Sequence, residues 1–166
     1  MCYILHRGRR MKTQKTNKKP TILDVANYFI WFGQKHGDPI THLKLQKLCY
    51  YAEAYYWAIY NKPLTNTPFQ AWTHGPVSRI LWDEHKGKSW EPITKECKKP
   101  RLSKEVEEYL EEIADVFCRF TAFELEKMTH HDLPWKSARG CLSLEARCEN
   151  IISTEHMRTY YKKYVK

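Results

Sequence analysis

The chain has 166 residues and a mass of 20.0 kDa, the usual size of one compact domain. Hydrophobic residues make up 42% and aromatics 14%, enough to bury a core, so wholesale disorder is excluded. The net charge of +9 invites a nucleic-acid reading, while the lack of any apolar run near the roughly 18 residues of a span excludes an integral helical membrane protein.

Residues 1–20 read as a flexible basic leader, and 21–166 as a single domain. The leader holds seven basic residues (Arg7, Arg9, Arg10, Lys12, Lys15, Lys18, Lys19) and no acidic one. Without them the chain carries 21 basic against 19 acidic residues, so the domain itself is almost neutral. Phosphate contacts are thereby expected of the leader at most. Its short apolar stretch precedes the basic residues, the reverse of a secretory signal, which predicts a cytoplasmic protein. Met11 offers a second start codon, which would place residues 1–10 upstream of the protein.

Thr21 and Asp24 form a capping box for a helix that Gly37 stops. Thr41 caps a second helix reaching Tyr60, with Leu45, Leu48, Cys49, Ala52, Tyr56 and Ile59 as its apolar stripe. Residues 61–76 break the helical period with Pro63, Pro68, Gly75 and Pro76, and residues 69–72 alternate as a short strand would. A helix follows from Val77 to about His85, with Val77, Ile80 and Leu81 on one face. Residues 89–94 are expected to form a second strand pairing with the first. Ser103 caps a helix to about Phe120, Thr121 and Glu124 make another capping box, Pro134 begins a turn, and Ser153 or Thr154 caps a terminal helix. The expected fold is mostly α, a compact helical domain with a small two- or three-stranded β element.

No phosphate loop, serine elbow or paired-histidine zinc helix is present. The six cysteines lack the close pairing of a structural zinc site. Neither catalytic residues nor a metal or cofactor are therefore expected, and the protein is read as not an enzyme. His130-His131-Asp132 reads as a polar cap on the turn before Pro134. His74-Gly75-Pro76 reads as a tight turn. Lys44 and Lys47 are expected as a solvated pair on the flank of the second helix. That helix also carries Tyr50, Tyr51, Tyr55, Tyr56, Trp57 and Tyr60, more rings than one buried stripe absorbs. Tyr51 and Tyr55 lie off the Leu45–Leu48–Ala52–Tyr56 stripe at i and i+4, so they are the predicted exposed partner-binding residues.

Several of these residues together carry a family likeness. Lys44, Leu45, Gln46, Lys47, Leu48, Tyr50 and Tyr51, then Trp72, Gly75, Pro76 and Val77, then His130, Pro134 and Trp135, make the chain resemble the Panacea domain of toxin–antitoxin systems, a phage-associated family. The likeness spans roughly residues 22–164, and Cys49 stands where the family commonly has an aliphatic residue. It implies an antitoxin that neutralises a co-encoded protein toxin by direct binding. Toxins of this family's members include alarmone-synthetase-like translation inhibitors and membrane-acting peptides. It implies a structural role for the motif: Gly75 and Pro76 turn the chain, and Leu48 and Trp72 build the core. A homodimer and a toxin–antitoxin heterotetramer both remain open as assemblies. So do two other roles, a DNA-binding autoregulator and an adaptor that delivers a toxin to a protease.

Overall fold

In the computed structural model, which describes residues 19–87 and 90–166, Thr21 opens the first helix. Its hydroxyl accepts the Asp24 N–H while the Asp24 carboxylate accepts the Thr21 N–H, the reciprocal box expected from the sequence. Helix α1 (Ile22–Lys35) ends where Gly37 turns left-handed at φ +71°. Asp38 N–H then returns to the Gly33 carbonyl at 2.9 Å, a common helix stop. The leader expected over residues 1–20 lies, apart from residues 19 and 20, outside the described residues.

Thr41 caps α2 (His42–Tyr60) through its hydroxyl. Two short strands follow, β1 (Gln70–Trp72) and β2 (Gly75–Val77), and then α3 (Arg79–Glu84). Helices α4 (Lys104–Phe117), α5 (Ala122–His131), α6 (Leu133–Arg139) and α7 (Thr154–Tyr161) complete the order, with a 3-10 turn at Lys162–Tyr164. The domain is mostly α with a small antiparallel β element, as the sequence predicts. No described helix is long and apolar enough to cross a membrane.

The architecture is built around α2. It packs against α1, α4, α5, α7 and β2, and residues 44–56 are buried without a break. A helix enclosed on all sides has no outer flank, which overturns two expectations. Lys44 and Lys47 are not a solvated pair: they are 7% and 0% exposed. Tyr51 and Tyr55 are not an exposed partner surface: they are 1% and 2% exposed and sit in the core. The surplus of rings on α2 reflects extra covered faces, filled by α4 and α7.

The buried polar residues of α2 survive inside this core because each finds a partner. Lys44 Nζ reaches Asp38 at 3.0 Å and the Cys118 carbonyl at 2.7 Å. The buried Glu53 carboxylate accepts the Leu64 and Thr65 N–H groups and the Thr65 hydroxyl, fastening loop 61–69 to α2. Gln46 clamps the residue after β2 from both sides. Its Oε1 accepts the Ser78 N–H at 2.8 Å, and its Nε2 donates to the Ser78 carbonyl at 3.2 Å.

The β element also departs from expectation. β1 pairs with β2, in the register Gln70↔Val77, Ala71↔Pro76 and Trp72↔Gly75, not with residues 89–94. Positions 88 and 89 lie outside the described residues, and Pro92 bridges Thr41 instead. The other edge of β1 meets residues 150–152: Ala71 N–H donates to the Asn150 carbonyl and Ile152 N–H to that of Phe69. Pro76 fits on the outer strand because its missing N–H breaks no ladder bond there. Helix α3 begins at Arg79, capped by Ser78, two residues later than predicted, and Ile80 is half exposed.

Candidate functional site

Two buried clusters fix the surroundings of the hairpin. In the first, Lys47 lies beneath β2 and donates to the Pro76 carbonyl at 3.0 Å. Gly75 runs directly over it at φ +97°. A β-carbon there would stand 2.7 Å from Thr129 Oγ1 and 2.9 Å from Lys47 Cε, so position 75 needs glycine for both dihedral and space. Across the strand, Trp135 donates its indole N–H to the Trp72 carbonyl at 3.0 Å. Pro134 sits in the first turn of α6, and His130 stacks on the Trp135 ring, centroids 4.2 Å apart. Burial lowers the His130 imidazole below the ordinary histidine value.

Burial also pulls the Lys47 ammonium down to about 7, partly opposed by the Glu126 carboxylate. The unfolded chain therefore holds a proton that the folded chain releases above pH 7, so folding stability should rise with pH from there. Buried thiols such as Cys49, pushed up by burial, act in the opposite sense above pH 9, which sets the window at pH 7–8.5. Across it the wild type should gain about 1.5 kcal/mol in urea unfolding, at about 1.4 kcal/mol per pH unit. Lys47→Met should flatten that rise, and an unchanged rise in the variant would show that another group carries it.

In the second cluster, Asp132 turns inward instead of capping the turn before Pro134. Although it occupies the N-cap position of α6, its side chain makes no cap bond. Its carboxylate accepts the hydroxyls of Tyr161 at 2.7 Å, Tyr160 at 3.0 Å and Tyr51 at 3.1 Å. Tyr161 reaches on to the Tyr50 hydroxyl at 3.4 Å. The predicted polar cap is thus a buried knot joining α2, α7 and the α5–α6 junction.

Beside the hairpin a cavity of about 440 Å³ opens to solvent. Gln46, His42 and Val77 line it from α2 and β2, and Trp72, Trp82 and Trp90 contribute three indoles. Trp72 is therefore a half-buried wall, not the core residue expected, because the hairpin turns its side chain outward beside Trp82, centroids 5.1 Å apart. The His42 ring is fully enclosed and faces both Trp82 and His85. Gln46 Nε2 points at His42 Nε2 at 3.0 Å. Since Gln46 Oε1 is taken by Ser78, the imidazole accepts there and carries its proton on Nδ1. Burial, helped by His85 and Lys47, lowers His42 to about 4, so it stays neutral at physiological pH.

The rim is polar. Arg147 pairs with Glu149 there, while nearby Arg79 stands 3.7 Å from Asp83, which Lys86 holds at 2.8 Å. The segment leading to Arg147, Cys148 and Glu149 is held by Arg139, which is buried against the Trp135 ring. That guanidinium donates to the carbonyls of Ala71, Ser143, Leu144 and Ala146.

Residues 45–136, more than half of the chain, match the family described as the antitoxin SocA-like, Panacea domain. The chain belongs to this family. Comparison with curated proteins returned no match, and comparison with solved structures returned none either. The Panacea match runs from α2 to the first turn of α6. Within it, Leu45, Leu48 and Tyr50 pack in the core, Lys47, Gly75, Pro76, His130 and Trp135 build the hairpin support, and Gln46, Trp72 and Val77 reach the cavity. Arg147 and Glu149, on the rim, lie beyond the matched stretch. The sequence did not point to His42, Trp82, Trp90, Arg139 or Arg147. Trp72, Trp82 and Trp90 follow no helical or strand period, and only the folding of β2 and α3 over α2 brings them to one place.

Proposed function

We propose that this Panacea-domain protein is a cytoplasmic antitoxin that neutralises the toxin encoded beside it by direct protein–protein binding, without catalysis. The observation that carries the reading is the family match over residues 45–136. With Tyr51 and Tyr55 buried, the contact face passes to the rim of the tryptophan-lined cavity. Trp90 is 67% exposed there, and it lines the same cavity as the Arg147–Glu149 pair. Tryptophan and arginine around an apolar recess, edged by polar groups, are the features of a binding hot spot.

Co-expression with the product of the adjacent gene tests this. The wild type should restore growth, and the two proteins should elute together. Trp90→Ala and Arg147→Ala should lose rescue while melting like the wild type, since exposed positions change stability by only about 0.5 kcal/mol. Phe123→Ala, an exposed ring on α5, should rescue normally. Rescue without co-elution would refute direct binding, and full rescue by both rim variants would move the contact face elsewhere.

A further inference from the structure

The cavity itself has the character of a ligand site. Its volume of about 440 Å³ falls in the range of small-molecule pockets, which are mostly apolar with a few fixed polar groups. Its walls are aromatic rings set at different tilts, the indoles of Trp72 and Trp82 at 59° and the His74 imidazole to the Trp90 indole at 81°. Such walls offer both face and edge contacts to a flat ring.

Charge decides what kind of guest fits. The Arg79 guanidinium already lies 5.7 Å over the Trp72 ring, and Arg147 stands on the rim. Arg147 is matched by Glu149, and Arg79 shares Asp83 with Lys86, which lies closer to that carboxylate. A cationic guest would meet two guanidiniums, and an anionic guest would have to displace a carboxylate from one. Either ion would lose hydration with no free counter-charge inside. The imidazole of His42 adds no charge, because both its nitrogens are engaged, by the Gln46 amide and the Leu81 backbone. Among the described residues, the indole N–H groups of Trp82 and Trp90 meet no acceptor. An acceptor atom on the edge of a ring is the chemical complement of such donors.

We propose that the cavity is a binding site for one uncharged, planar aromatic ring bearing a hydrogen-bond acceptor, held between Trp72, Trp82 and Trp90 above the neutral His42. Two sources offer that chemistry, a free heteroaromatic molecule of the nucleoside class and the aromatic side chain of a bound polypeptide. The site is defined on the protein alone, so its failure would leave the antitoxin reading untouched, and the reverse also holds.

The six tryptophans supply the test, because each gives one indole N–H resonance in the nitrogen-15-labelled protein. Adenosine and N-acetyltryptophanamide are titrated separately, as probes of the two sources. The signals of Trp72, Trp82 and Trp90 should move saturably with at least one probe, while those of Trp31 and Trp57 stay in place. Whichever probe binds tighter assigns the source. Trp82→Ala should weaken binding tenfold or more, and cyclohexanol and tetramethylammonium, non-planar and cationic, should move nothing at the same concentration. Because truncating Trp82 could disturb α3, Trp90→Ala at the exposed lip serves as the second variant and should weaken binding at least threefold. The proposal is overturned if neither probe shifts these signals at millimolar concentration, if cyclohexanol shifts them equally, or if both variants bind as the wild type does.

Discussion

Tyr51→Ala should destabilise the fold by about 3–5 kcal/mol, the cost of emptying a buried aromatic site. The ring is stacked flat on Phe117, centroids 4.4 Å apart at 8°, with Tyr161 edge-on to it at 5.9 Å. Its loss would open a void at the junction of α2, α4 and α7 and remove one hydroxyl from Asp132. Against a total stability of about 5–15 kcal/mol for a typical domain, that is enough to lower the melting temperature by many degrees. Antitoxin activity would then fall through unfolding, not through a lost contact. Tyr55→Ala should behave similarly, since its ring lies 4.9 Å from Tyr161. Urea unfolding of both variants is the check. Wild-type stability with weakened partner binding would restore these tyrosines as surface residues and contradict the enclosed position of α2.

Asp132→Ala should cost a comparable amount, about 3–5 kcal/mol, because several hydroxyls lose one shared acceptor at once. Burial pushes the Asp132 carboxyl up, and the hydroxyls of Tyr161, Tyr160 and Tyr51 hold it down again. Without the carboxylate those hydroxyls lose their acceptor, and each buried one left unsatisfied costs about 1–3 kcal/mol. Asp132→Asn keeps one acceptor oxygen and the shape of the side chain, so it should fall between the wild type and the alanine variant. An alanine variant as stable as the wild type would mean that the three tyrosines find other partners and that the knot does not tie α7 to α2.

How far the sequence revealed this arrangement follows the range of the interactions. The starts of α1, α2, α4 and α5 were legible because Thr21, Thr41, Ser103 and Thr121 each bond a group three residues ahead, a local signal. The hairpin was legible only in its first strand. The second is three residues long and contains Gly75 and Pro76, which read as a break, and only pairing with β1 makes it a strand. The burial of Lys47 was not legible, because a helix position gains its surroundings from elements distant in sequence, here β2 and α5. The excess of tyrosines on α2 was a genuine signal, but it marked a helix covered by α4 and α7, not an exposed one. Likewise Asp132 looked like a cap by position, and its true partners, Tyr51, Tyr160 and Tyr161, lie at least 28 residues away in sequence.

The central claim is that this Panacea-domain protein acts by binding its toxin, and calorimetric titration of the purified chain with the purified product of the adjacent gene tests it most directly. Saturable binding with a fixed stoichiometry is expected, weakened at least tenfold, or about 1.4 kcal/mol, by Trp90→Ala without a change in melting temperature. Absence of any complex at micromolar concentrations, from a preparation that still restores growth on co-expression, would contradict it.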